Sequence, residues 1–329
     1  MQSDVILRGS KLAQIPAKAE AAEALGYDGI GVTETVGNPF LAAAQAIGAT
    51  QTARVSTAIA LAFPRTPMDV AYTAWDLQDY SGGRFALGLG TQVRAHIERR
   101  YGVEWSRPAA RMREYVLALH AIWDCWQHGT KLAFEGDFYR HTLMPPNFNP
   151  GPLESGAPRV LLAGVRERMT EVAGEVADGL LGHGFCTGDT LREITLPAIE
   201  RGLERSGRAR EDFEITAAVF VALSDEDWEA NRRRIAFYGS TPGYRTVLDH
   251  HGLGSLFDAL HTCSKENRWA EMPSLVDDDV LSLFVVRADD EASLAAAVRE
   301  RVGGIADRVC LAVEGGDPAV VARAAAALR

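Results

Sequence analysis

Cysteine is scarce in this chain. Its four cysteines, Cys125, Cys186, Cys263 and Cys310, stand far apart among apolar neighbours, with no CxxC pair. That excludes a disulfide framework and a zinc ribbon, and the four read as buried structural thiols in a reducing cytoplasm. Positive charge is also short: 34 Lys and Arg face 44 Asp and Glu, for a net charge of -10. A surface of that sign disfavours nucleic acid and anionic membrane as partners. No apolar run approaches the roughly 18 residues of a membrane span. The N-terminal MQSDVILRGSKLAQ lacks the basic-then-apolar order of a signal peptide, so the expectation is a cytoplasmic protein. His250 and His251 are adjacent and diverge on a helix, and no HxxxH or His-carboxylate cluster exists, so no metal site is expected. Internal repeats, low-complexity tracts and linkers are missing too. With 329 residues, 47% of them hydrophobic, one domain spanning 1–329 is the expectation.

What is present is alternation. Strand-like and helix-like segments follow one another eight times: DVILRG, GIGVTE, RVSTAIALAF, RFALGLG, RVLLAGV, GLLGHGF, FEITAAVFVALS and ADRVCLAV each precede a helical stretch. Nearly all are continuous apolar runs bounded by glycine or polar residues, as parallel strands buried on both faces should be. Eight β-then-α units predict an α/β protein, a closed (β/α)8 TIM barrel, with a doubly wound open sheet as the competing topology. The interval from about 225 to 290 is too long for one helix. It reads as a helical or loop-like insertion between strands seven and eight, DDDVLSLFVV included, lying over the barrel mouth.

In a barrel, chemistry gathers where strands end and the βα loops face one another. That rule selects Thr33–Glu34–Thr35, Ala58 to Phe63, Gly88 to Gln92, Ala163 to Arg166, and His183. Gly88–Leu89–Gly90–Thr91–Gln92 is no P-loop, since no Lys-Ser or Lys-Thr pair follows, and Val93 stands where a dinucleotide fingerprint needs its third glycine. Two readings stay open for its glycines: close packing, or backbone approach to a flat or polyhydroxylated ligand. The burst Arg94, Arg99, Arg100, Arg107, Arg111 and Arg113 either draws in an anionic ligand or forms solvated helix faces with partners such as Arg94–Glu98. Gly164–Val165–Arg166 opens a helix, either as a phosphate seat or as an ordinary βα turn. Glu34 is placed to hydrogen-bond a ligand ring or move a proton, the alternative being a surface carboxylate. His183 is a ligand contact or a satisfied local histidine.

Together these motifs resemble the bacterial luciferase-like superfamily of flavin and deazaflavin oxidoreductases, over almost the entire chain. VGNPFLAAAQAIGAT (36–50) is similar to the segment after the second strand in luciferase α-type subunits. SGGRFALGLGTQVRAHIERRYG (81–102) and AGEVADG (173–179) look more like the branch that uses coenzyme F420. The resemblance implies a TIM barrel with a tricyclic ring over the third strand, where the family carries a non-proline cis peptide, here Ala58–Ile59. It further implies that Gly164, Val165 and Arg166 hold the phosphate, with His183 at a neighbouring position. Gly90, Thr91 and Gln92 would border the ribityl chain and ring, and Arg94 with its neighbours would meet the anionic tail. Glu34 falls where relatives place an acidic residue near the ring's polar edge.

Departures narrow the reaction. Thr35 replaces the histidine that many relatives have after the acidic residue. Val93 stands where sugar-phosphate dehydrogenases of the family have a glutamate. Glu34–Thr35–Val36 runs straight into Gly37–Asn38–Pro39, without the longer loop of the luciferases. The resemblance therefore implies a hydride-transfer enzyme using F420 on a small-molecule substrate; it identifies no acid-base residue, and Glu34 is the candidate by its place at the strand end. The rivals are an FMN-dependent monooxygenase and a non-catalytic cofactor-binding barrel. A homodimer is common in similar proteins.

Overall fold

A computed structural model describes residues 1–313 and 318–329. Among them eight parallel strands close on themselves: β1 (Gln2–Leu7), β2 (Gly29–Val32), β3 (Arg54–Thr57), β4 (Phe85–Gly90), β5 (Arg159–Ala163), β6 (Gly179–Leu181), β7 (Glu214–Ala222) and β8 (Arg308–Ala312). Closure is explicit in the register. β8 pairs with β1 through Val309 and Ser3, and β6 pairs with β7 through Leu180 and Ile215. The fold is a (β/α)8 TIM barrel, and the open sheet is excluded because no barrel strand is left with a free edge along its whole length.

Each strand hands over to a helix for a local reason. Asn38 accepts from the Phe40 N–H at 2.9 Å and starts α1 (Pro39–Ala49), with proline in the first turn; Thr66 caps α2 (Pro67–Tyr80) in the same manner. Burying Val55, Leu87, Leu89, Val160, Leu162 and Val219 between the strands and this helical layer supplies most of the driving force. The floor of the barrel is different. Arg54 bridges Glu214 at 2.8 Å and Asp4 at 3.5 Å, Arg308 clasps Asp4, and Arg159 reaches Glu214 at 3.4 Å. These ion pairs sit at strand starts and fill the end of the barrel remote from the mouth.

The stretch after β7 forms helices Asp225–Gly239, Arg245–His250, Gly254–Lys265 and Asp278–Phe284. They bury Trp228, Phe257, Leu260 and Phe284 against Phe185 and Phe220 in a second core above the barrel. One expectation is corrected here. The end of DDDVLSLFVV is a strand, Val285–Arg287, pairing in parallel with Phe220–Ala222. β7 outlasts β6, so its upper edge has unpaired backbone groups, and the β-branched Val285–Val286 satisfies them.

Candidate active site at the barrel mouth

The third strand breaks its register where it meets β4. Val55 and Ser56 pair with Phe85 and Ala86, but Ala60 and Leu61 pair with Leu89 and Gly90. One extra residue is thus inserted on the β3 side, a bulge. It contains Ala58 and Ile59, joined by a cis peptide as the resemblance implies. The bulge explains the glycines. A Cβ on Gly88 would lie 1.9 Å from the Thr57 carbonyl oxygen, and one on Gly90 would lie 2.6 Å from Ile59 Cδ1. Thr57 Oγ1 locks the junction, accepting from the Gly88 N–H (2.9 Å) and donating to the Gly88 carbonyl (2.7 Å). The glycines therefore serve close packing of β4 against the bulge, and the Ile59 side chain is what occupies the space over Gly90.

At the end of β4 the chain turns sharply. Gln92 has φ +59°, a left-handed conformation that is uncommon for a residue with a side chain. Its Oε1 accepts from the Val93 N–H (2.9 Å), and Thr91 Oγ1 donates to the Gln92 carbonyl (3.0 Å). Such conformations persist where surrounding structure imposes them and gather at functional sites.

Glu34 does point inward, but its carboxylate is committed. Oε2 accepts from the Leu61 N–H (2.8 Å) and Arg65 (2.9 Å); Oε1 accepts from Arg65 (3.0 Å) and the Tyr101 hydroxyl (3.1 Å). The side chain is only 6% exposed. It clasps the β2 loop, the strand beyond the bulge and the segment after β4 into one unit. Burial and the adjacent carboxylate raise the Tyr101 phenol's pKa.

Across the mouth, Gly164 and Val165 share a small cavity with His183. Gly164 packs so tightly that a Cβ would meet Leu180 and Thr170 at 3.1 Å. Among the described residues the Val165 and Arg166 N–H groups have no protein acceptor, and both precede helix α3 (Glu167–Val176). Arg166 itself reaches the Pro242 carbonyl (3.1 Å), tying this turn to the insertion. His183 Nδ1 accepts from the Phe185 N–H (3.0 Å), so the neutral ring carries its proton on Nε2. Burial, reinforced by Arg8 and Arg234, pushes its pKa down to about 3. The imidazole is neutral and offers a donor.

The arginine burst is largely spent on the protein itself. Arg94 bonds Glu98 (2.9 Å) on an exposed turn, Arg107 bonds Asp137, and Arg113 bonds Glu175. Arg94, its side chain 70% exposed, is thus already paired within its own helix. Sequence reasoning missed Arg65, Tyr101, Arg8, Arg234 and Tyr238. Applying the strand-end rule to β1 reaches Arg8. Asp227, Asn231, Arg234 and Tyr238 recur every three or four residues along one face of helix Asp225–Gly239, and Asn231 docks that face on the Val221 carbonyl (3.0 Å). Arg234 lies 4.8 Å over the Phe220 ring, and Tyr238 stands 4.5 Å from His183.

Comparison with known proteins agrees with this geometry. An uncharacterized protein of Mycobacterium tuberculosis is 49% identical over 312 residues, 92% of each chain. A putative coenzyme F420-dependent oxidoreductase of the same organism is 29% identical, covering 86% of both. The structure of coenzyme F420-dependent tetrahydromethanopterin reductase from Methanopyrus kandleri superposes with a TM-score of 0.78 at 18% identity, over 98% of this chain and 96% of that one. The family model for luciferase-like monooxygenases matches residues 2–308. The bulged third strand, the glycines it requires and the eightfold barrel are thus those of a chain that belongs to the luciferase-like monooxygenase family.

Proposed function

We propose that this protein is an F420-dependent oxidoreductase acting on a small organic substrate, with the deazaflavin seated at the mouth over β3 to β5. The observation that carries this reading is the convergence of the Ile59 bulge and the unsatisfied Val165 and Arg166 N–H groups on one rim. An apolar step beside a phosphate-sized set of free donors suits a flat ring with an anionic side chain. The F420-dependent relatives favour the deazaflavin over FMN. When bound, F420 supplies two-electron hydride chemistry at its ring.

The chain's own contribution is positioning. Ile59, packed over Gly90, presents an apolar surface to one ring face. Gly164, Val165 and Arg166 orient the phosphate through backbone donors. Thr91 and Gln92 border the polyhydroxylated chain, and Arg94 flanks the path of the glutamyl tail. Glu34, held by Arg65, keeps the β2 loop and the Leu61 backbone in register and acts as a positioning residue. The second core, with Phe185, Phe220 and Tyr238, excludes water from the opposite side.

Titration of the purified protein with F420 and, separately, FMN tests this. Saturable F420 binding, followed by substrate-dependent change in its visible absorption, is the expected result. Preferential FMN binding with oxygen consumption would replace it with the monooxygenase reading that the family description supports. F420 binding without turnover over a broad alcohol and enone panel would leave a cofactor-binding barrel.

A further inference from the structure

A larger cavity, of about 250 Å³, lies outside the barrel lumen. Leu7 and Val32, paired across β1 and β2, form one wall. Ile15 of the helix Ile15–Ala24, with Leu41 and Ala42 of α1, forms the other. Gly31, one residue before Val32, faces the opposite way, since a Cβ there would meet Ile6 and Ala58 of the bulge. The cavity therefore sits between the strands and their helical layer, and none of Ile59, Gly90, Gly164 or His183 does more than border the far side of that wall; the lining residues are others.

Its entrance is open and apolar. Val36 is 68% exposed, Leu41 56% and Leu12 45%, and all three line this one cavity. Large apolar side chains gathered in that way mark a binding surface, where single ones scattered over a protein do not. The charge at the entrance has one sign. Lys11 is the one charged lining residue, and Lys18 reaches the same rim by donating to Ser10 Oγ at 2.9 Å. Two of the four lysines of a chain with net charge -10 thus meet here, and among the described residues neither has an ion-pair partner. Carboxylates on the adjoining segments are engaged or turned away. Arg65 and Tyr101 take up Glu34, and the Gln51, Thr52 and Ala53 N–H groups take up Glu23. Glu20, two positions after Lys18 on its helix, does not share its face.

We infer that this cavity binds a small amphiphilic carboxylate, with its apolar tail between Leu7, Val32, Ile15 and Leu41 and its charged head at Lys11 and Ser10. Size and charge set the class. At roughly 30 Å³ per water the cavity holds the equivalent of about eight waters, the bulk of a six-carbon acid. A lysine ammonium is a point charge on a flexible stem, so it meets a carboxylate at the rim while the stem lies along the apolar wall. The site stands apart from the proposed function and needs no cofactor.

Methyl NMR of the full chain reads the site directly, because Leu7, Leu12, Ile15, Val32, Val36 and Leu41 all carry methyl groups. Hexanoate is expected to shift these resonances saturably and to leave Val160 of β5 unmoved. Hexanamide, of the same shape without the charge, should bind at least about threefold more weakly, the size of a screened surface charge pair. Added salt should weaken hexanoate and not hexanamide. Lys11→Gln, on an exposed loop, should weaken hexanoate at least about threefold and leave hexanamide unchanged. Ala42→Leu, which fills the cavity, should remove both; if that variant does not fold, Lys11→Gln still decides. Absent or scattered shifts, equal binding of hexanoate and hexanamide, or indifference to Lys11→Gln would overturn the site. Shifts of the same methyl groups that grow with protein concentration and no probe would make the patch a contact between two copies, which also overturns it.

Discussion

Replacing Gly88 and Gly90 by alanine puts the same methyl group against two different kinds of neighbour. At residue 88 the new Cβ meets the Thr57 backbone carbonyl at 1.9 Å. That oxygen belongs to a buried strand and cannot rotate away, so β3 and β4 must separate and the Thr57–Gly88 hydrogen bonds stretch. Overpacking ordinarily costs about 1–3 kcal/mol, and a backbone clash belongs at or above the top of that range. At residue 90 the Cβ meets Ile59 Cδ1 at 2.6 Å and Cγ1 at 3.0 Å, the far end of a half-buried side chain. Ile59 can swing into the mouth, so Gly90→Ala should cost only about 1–2 kcal/mol while strongly weakening F420. Adding Ile59→Ala removes the obstructing atoms. The Gly90→Ala/Ile59→Ala double variant should therefore be more stable than the sum of its single losses by about 1 kcal/mol or more. Urea denaturation of the five proteins reads the stabilities, and F420 titration reads the mouth. If Gly88→Ala were no worse than Gly90→Ala, or if the Gly90 and Ile59 effects simply added, the packing account of the glycines would be wrong.

Glu34→Gln keeps an acceptor for the Leu61 N–H but sets a neutral amide against Arg65; a stability loss of about 1–3 kcal/mol is expected. The pH profile of turnover should keep its shape, and disappearance of a titrating limb would return Glu34 to proton transfer. His183 has a folded-state pKa depressed to about 3 by burial and two arginines, against about 6.5 unfolded. The unfolded chain thus binds the extra proton, and stability falls as pH drops from about 6.5 towards about 3. The slope is at most about 1.4 kcal/mol per pH unit, less because the ring is partly open to solvent. His183→Asn should flatten the dependence of the denaturation midpoint between pH 7 and 5, and an unchanged dependence would contradict the burial of that ring.

The fold was legible because its signal is repeated. Eight apolar runs such as RVLLAG and RFALGLG, each followed by a helix, agree with one another and leave little room for another topology. The strand-end rule then brought Glu34, Gly90, Gly164 and His183 to one face of the molecule from sequence order alone. What it could not supply was the partner of each group. Glu34 looked like a free carboxylate, because Arg65 and Tyr101 lie 31 and 67 residues away along the chain and meet it only when β3 and the segment after β4 converge. Arg94 and Glu98, by contrast, are a local i,i+4 pair, and their bond was one of the two readings the sequence allowed.

Sequence by itself determined the layers, the number of barrel strands and the end at which a site is to be sought, since these depend on local periodicity and on a general rule of barrels. Tertiary structure decided what the glycines of β4 are for, that the third strand carries an extra residue, and that the Glu34 carboxylate is taken up by Arg65 and Tyr101. Those depend on distances between segments far apart in the chain. A one-residue bulge or a carboxylate clasped by residues far along the chain leaves no periodic trace, because it exists only once the strands are side by side.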